Sequence, residues 1–233
     1  MAAPVLFDLG NTLAAYYHRG EFRPVLARAV AGTAARLRAA GIPTAAADTL
    51  LARALRENRE APDHRFAPLR DRLARIFDLQ PDAVAGFGEE LCREFLGPIF
   101  AMGRVYGDVP SLLTTLRARG HRTAIVSNTP WGSPPDLWRT ELERLGLSRL
   151  VDAVVLCGDV GWRKPAPPIF ERAAAAVGAR CDECVFVGDD PEWDVAGSTG
   201  VGMRAVLIDR DNRFPVHTGA RIRSLAELPP LLT

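Results

Sequence analysis

The chain lacks the signatures of several large classes of protein. Lys and Arg number 29 and Asp and Glu 28 among 233 residues, a net charge of +1. With no basic excess, neither nucleic acid nor an anionic membrane surface is an expected partner. The four cysteines, Cys92, Cys157, Cys181 and Cys184, are too few for a disulfide scaffold of this size. Cys181 and Cys184 form a single C-x-x-C with no second pair and no nearby histidine. A zinc site wants about four soft ligands, so structural thiols are expected there. No stretch approaches the roughly 18 uninterrupted apolar residues of a membrane span. The first residues carry no basic targeting segment, and Asp8 interrupts the early apolar run. The cytoplasm is therefore the expected location. Internal repeats and low-complexity linkers are also missing, and nothing in the sequence encodes an oligomeric state.

What remains is an ordinary globular composition, 48% hydrophobic and 24% charged. Short β-like runs occur at Val5–Leu9, Arg122–Ser127, Val151–Leu156, Cys184–Gly188 and Met203–Ile208. Each is too continuously apolar for a half-exposed antiparallel strand, which would alternate. Helical patterns lie between the later runs, such as Leu112, Leu113 and Leu116, and Ile169, Phe170, Ala173 and Val177. Strand and helix in alternation predict an α/β protein with a parallel sheet covered on both faces. Residues 22–104 differ, with no convincing strand. Helical spacing links Leu26, Val30, Thr33 and Leu37; Leu51 and Leu55; Leu69, Leu73, Ile76 and Phe77; and Val84, Phe87, Leu91 and Phe95. Breakers at Gly41-Ile42-Pro43, Ala61-Pro62-Asp63 and Gln80-Pro81-Asp82 separate them. This predicts an all-helical insert of about four helices between the first and second strands.

Polar groups cluster where these strands end. The first run stops at Asp8 and turns through Gly10-Asn11-Thr12. The second stops at Ser127-Asn128, whose hydroxyl and amide can donate to a phosphate or carboxylate oxygen. Lys164 precedes Pro165, which holds it extended in a turn, and its ammonium suits an oxyanion. The fourth run stops at Asp189 and Asp190, with Asp194 about one turn on. Several carboxylates at adjacent strand tips repel unless a cation neutralises them. Oxygen ligands with solvent access favour Mg²⁺ over zinc.

These segments, in this order, resemble the haloacid dehalogenase superfamily, in its helical-cap, phosphatase-like subgroup. The matching stretches are Asp8 with Thr12, strand-Ser127-Asn128, Gly161-x-x-Lys164-Pro165-x-Pro167-x-Ile169-Phe170, and Gly188-Asp189-Asp190-x-x-x-Asp194 followed by Gly200-Val201-Gly202-Met203. The tail also resembles the family's usual ending, at Val206–Arg210 and Ser224–Leu228. The resemblance implies a Rossmann-like core over residues 1–21 and 105–233, with the five strands ordered 5-4-1-2-3, and a helical cap over 22–104. It implies that Asp8 attacks phosphorus of a small phosphorylated metabolite, giving an aspartyl-phosphate that water hydrolyses. Ser127 and Asn128 would hold the phosphoryl oxygens, and Lys164 would offset the charge. Asp8, the Gly10 carbonyl, Asp189 and Asp190 would bind Mg²⁺, with Thr12 and Asp194 behind them.

Gly10 departs from the pattern, since the family's phosphatases usually place there an aspartate that protonates the leaving oxygen and activates water. Loss of a general acid–base typically costs about 10²–10⁴ in rate. Three readings stay open: a metal-dependent phosphomonoesterase of sugar-phosphate or phosphoglycolate-like substrates, a non-phosphatase hydrolase of the dehalogenase or phosphonatase kind, and a weakened phosphate- or partner-binding protein. Tyr17 and His18 could supply acid–base help, though a hinge role is expected for both. Trp131, Trp162 and Trp193 each adjoin a motif and could wall a pocket, with packing the expected role for Trp193.

Overall fold

Val5, Leu6 and Phe7 expose no surface, and a strand buried on both faces must lie inside a covered sheet. The computed structural model describes residues 2–232 and places β1 (Val5–Phe7) near the middle of six parallel strands. The others are β4 (Thr123–Ser127), β5 (Ala153–Leu156), β6 (Val185–Gly188), β7 (Arg204–Ile208) and β8 (Arg221–Ile222), in the order β5-β4-β1-β6-β7-β8. The five expected runs thus stand in the expected order. β8 is added at the edge, too short to show as a pattern in sequence. A separate antiparallel pair, β2 (Ala14–Ala15) and β3 (Arg104–Val105), was not expected for the same reason.

Alternation along the strands divides the core in two. Val5 and Phe7 of β1, Ile125 of β4 and Val185 and Val187 of β6 face one apolar cluster. Leu6, Ala124, Val126 and Phe186 face the other. Helices α1 (Phe22–Ala39), α2 (Ala47–Glu57), α3 (Leu69–Phe77) and α4 (Pro81–Phe100) run between β2 and β3. α5 (Val109–Ala118), α6 (Pro135–Arg144), α7 (Cys157–Val160) and α8 (Pro167–Ala176) alternate with the strands that follow. α5 contributes Leu112, Leu113 and Leu116 to the first cluster, and α8 contributes Ile169, Phe170 and Ala173 to the second. No helix among the described residues is long and apolar enough to cross a membrane.

The first cluster continues without a break from the sheet into α1–α4. Phe95 of α4 meets Trp131 edge-on at 5.3 Å, and Phe100 meets Trp138 of α6 at 5.0 Å. One expected stripe is rotated. In α2 the buried residues are Leu50 and Ala54, while Leu51 and Leu55 are half-buried against the same core. A small Ala54 lets the helix backbone approach, and the leucines then flank the contact.

The segment between α2 and α3 is stitched to the loop ahead of α8. Phe66 N–H donates to the Gly161 carbonyl at 3.0 Å, and Arg163 N–H donates to the His64 carbonyl at 2.8 Å. The Arg65 guanidinium lies 4.4 Å above the Trp162 ring. Glu60 joins two buried arginines, Arg72 at 3.1 Å and Arg163 at 3.2 Å. Removing either arginine would leave a partly buried carboxylate short of a partner.

Phe186 is 1% exposed and packs edge-on against Phe170 at 5.1 Å. Phe186→Ala is expected to cost about 3–5 kcal/mol of stability. Urea denaturation measures it, and a loss below about 1 kcal/mol would mean this side of the sheet is far more loosely packed than described.

Candidate active site

β4, β1 and β6 are adjacent and in register, with Phe7 opposite both Ile125 and Val187. The residues that end them therefore meet at one edge, the carboxyl edge where open α/β sheets hold ligands. Asp8 follows β1, and its N–H still donates to the Val187 carbonyl at 2.9 Å. Ser127 closes β4, and Asp189 follows β6. Lys164 reaches over from the loop between α7 and α8. Its Nζ donates to Asp8 Oδ1 and to Asp194 Oδ1, each at 2.6 Å. Carboxylate oxygens of Asp8, Asp189 and Asp194 lie within 4.8 Å of one another. Gly188 makes room for this arrangement, since a Cβ there would fall 2.4 Å from Asp194 Cγ.

Three carboxylates face one ammonium, and their proton affinities show the imbalance. Burial, then the charges of Asp8 and Asp194, push Asp189 up to about 8. The Asn11 amide, 3.2 Å away, and Lys164 pull it back only in part. Burial pushes Asp194 up to about 6 against the pull of Lys164. Burial would lower Lys164, but Asp194 and Asp8 outweigh it and hold the amine above its ordinary range. An oxygen cluster with surplus negative charge could hold a divalent cation.

The other expected residues are placed less uniformly. Gly10 lines the same cavity, and a Cβ on it would meet nothing within 4 Å. Ser127 lines it too, and its hydroxyl makes only a 3.5 Å contact with the Asn128 carbonyl. Thr12 is fully buried, its Oγ1 unpartnered among the described residues, and its carbonyl accepts from Arg210 at 2.8 Å. Asn128 departs from expectation. Its Nδ2 donates to the Lys164 carbonyl at 3.0 Å and its Oδ1 accepts from Lys164 N–H at 2.8 Å. The amide is thus engaged in fixing the lysine loop to β4 instead of pointing at a ligand. Asp190 also departs. Its Oδ1 caps the following turn, Pro191–Ala196, accepting from the Glu192 and Trp193 N–H groups at 2.9 Å each. Asp194, expected behind the metal ligands, takes the place in the acidic cluster.

The cavity measures about 640 Å³. Tyr17 and His18 line it. Trp193, expected as a packing residue, is 38% exposed and lines it, whereas Trp131 is buried against Phe95. The exposed side of a short helical turn carries no apolar periodicity, so the sequence could not show this. Arg213, Tyr16, Tyr106 and Trp138, which carried no motif, also line the cavity, as does Arg210 at the end of the matching tail stretch, to which no role was given. Arg210 bonds both Asp108 oxygens at 3.0 Å and stacks 3.9 Å from Tyr106, bracing the loop after Asp8 through Thr12. The available signal was position: Asp209-Arg210-Asp211-Asn212-Arg213 directly follows the last long strand, at the edge where the other motifs end.

A family model described as haloacid dehalogenase-like hydrolase matches residues 5–202. The chain belongs to the haloacid dehalogenase-like hydrolases. Phosphoserine phosphatase of Thermus thermophilus is 36% identical over 132 residues, covering 55% of this chain and 51% of that protein. This haloacid dehalogenase-like chain therefore spans about half the length of curated relatives it matches. A structure described as an HAD phosphatase from Thermococcus onnurineus superposes with a TM-score of 0.71 at 28% identity, covering 99% of this chain and 97% of that one. A 2-haloacid dehalogenase from Pseudomonas syringae pv. Tomato superposes with a TM-score of 0.74 at 24% identity, covering 100% and 98%. The last of these shows the shared fold alone.

The acidic cluster gives this haloacid dehalogenase-like fold a pH signature. Without metal, Asp189 keeps a proton in the fold up to about pH 8 that the unfolded chain, where the carboxyl has its ordinary value of 3.8, has already released. The unfolded state then binds fewer protons, so stability of the metal-free protein falls as pH rises through that window. A cation competes with this proton, so the rise in Tm on adding Mg²⁺ is expected to grow between pH 5 and pH 8. A Tm shift that is flat across this range, in thermal melts with and without Mg²⁺, would show that Asp189 takes no part in holding the ion.

Proposed function

We propose that this hydrolase is an Mg²⁺-dependent phosphomonoesterase of small phosphorylated metabolites. The observation that carries the reading is Lys164, whose ammonium bonds Asp8 at 2.6 Å and aims it while tied to Asp194 at the same distance. A nucleophilic carboxylate, a fixed cation and a set of oxygen ligands then share one cavity. Asp8 attacks phosphorus as the ester bond breaks and the leaving oxygen takes a proton from solvent water. A water molecule next attacks phosphorus and gives up a proton to solvent, the bond to Asp8 breaks, and the carboxylate is regenerated. Ser127 and Lys164 hold the phosphoryl oxygens through both steps. Asp8, Asp189 and the Gly10 carbonyl would hold Mg²⁺, with Asp194 orienting the set. When bound, the ion would neutralise developing charge on the phosphoryl oxygens. Residues 22–104 form the helical cap beside the core, residues 1–21 and 105–233, while the residues that line the cavity all come from the core. The phosphatase names of the Thermus and Thermococcus relatives support this assignment.

Gly10 favours a slower version of the same chemistry. No carboxyl stands there to protonate the leaving oxygen, a loss of about 10²–10⁴, or roughly 3–5 kcal/mol. Substrates with good leaving groups suffer least. A dehalogenase reading is weaker, because it leaves the mutual repulsion of Asp8, Asp189 and Asp194 without a purpose.

Release of phosphate from an activated aryl phosphate tests the proposal. The wild type is expected to be slow and Mg²⁺-dependent, and Asp8→Asn inactive. Gly10→Asp is expected to be faster by about 10²-fold or more, because it restores a carboxyl at a position where an added Cβ meets nothing within 4 Å. Metal-independent chloride release from a 2-haloacid, with no phosphate release, would sink it.

A further inference from the structure

Three cationic side chains besides His18 line the cavity, and two of them are tied to partners by hydrogen bonds. Lys164 makes two short bonds to carboxylates, and Arg210 makes three hydrogen bonds and a ring contact. Arg213 is different. Its nearest acid is Asp189 Oδ2 at 3.8 Å, too far for a hydrogen bond, and its guanidinium lies 4.9 Å from the Phe214 ring. The side chain is 34% exposed. A pair this loose and this exposed adds little stability, so its position is not explained by folding.

The loop nevertheless places Arg213 deliberately. Asp209 is 3% exposed, and its two oxygens accept from the Arg213 N–H at 2.7 Å and the Phe214 N–H at 2.8 Å. Arg221 Nε donates to the same carboxylate at 3.0 Å. Asn212 sits at φ 56°, a left-handed turn that brings Arg213 round to the cavity. A divalent cation together with Lys164 would balance Asp8, Asp189 and Asp194, leaving Arg213 as the one of these three cations without a hydrogen-bonded partner among the described residues.

We propose that Arg213 is a specificity-determining residue that binds a second anionic group on the substrate, making the preferred substrates phosphoesters that also carry a carboxylate or another phosphate. The inference rests on the phosphomonoesterase reading for the identity of the first group. The cavity volume of about 640 Å³ leaves space for such a substrate. Arginine suits this role because its planar fork can take both oxygens of a carboxylate or phosphate.

The test is calorimetric binding of non-hydrolysable phosphonates to the full chain with Mg²⁺ present. Phosphonoacetate and methylenediphosphonate are compared with methylphosphonate, for wild type, Arg213→Gln and Arg213→Lys. A charge-assisted pair predicts that one of the two ligands with a second anionic group binds wild type about 10–100-fold tighter than methylphosphonate. Whichever does so identifies the second group as carboxylate or phosphate. In Arg213→Gln that ratio is expected to collapse to within about twofold, and Arg213→Lys should recover part of it. Equal ratios in wild type and Arg213→Gln, with unchanged Tm, would overturn the inference. An Arg213-dependent ratio in a protein that hydrolyses no phosphoester would leave the inference standing and remove the phosphatase reading instead.

Discussion

The ammonium of Lys164 is the point on which the arrangement depends. It is buried, it bonds Asp8 and Asp194 at 2.6 Å each, and its own backbone is gripped by the Asn128 amide. A buried cation with no partner would be expensive, and two buried carboxylates with no cation equally so. Each group is tolerable only because the others are present. The chain must therefore bring the ends of β1 and β4, the loop before α8 and the turn after β6 to one place. The sheet order does that work, since β4, β1 and β6 are neighbours although their sequences lie far apart.

One ammonium does not neutralise three carboxylates. Burial, reinforced by that surplus, drives Asp189 far above ordinary carboxylate behaviour, while the same carboxylates hold Lys164 charged. Such large shifts at a strand edge are the usual mark of a functional site. Here they accompany an unshared Ser127 hydroxyl and an open space beside Gly10, so the polar groups face a cavity and not each other.

Much of the fold was legible because burial on both faces leaves a plain trace. Val5-Leu6-Phe7 and Val185-Phe186-Val187 can only be interior strands. The helical stripes of α1 and α3 were equally clear, whereas α2 mixes alanine with leucine and its face shifted by one residue. β2, β3 and β8 are two residues each, too short for any period. For the site, the sequence identified which residues congregate but not where each side chain points. Asp190 and Asn128 lie beside the motif residues in sequence, yet local hydrogen bonds turn Asp190 into a helix cap and Asn128 into a loop fastener. Asx side chains routinely make such local bonds. Arg213 belongs to no motif and Arg210 only closes the tail stretch, and only the three-dimensional edge shows them as part of the cavity wall.

The stitching of residues 64–66 to residues 161–163 also limits how the molecule can breathe. Helices α1–α4 are anchored at two places, the short β2–β3 ribbon and this second seam. Lifting them away as a single flap would tear the seam and drag on the strand of chain that ends at Lys164. Traffic into and out of the cavity is left to side-chain movements at its rim, where Trp193 and Arg213 are about a third exposed.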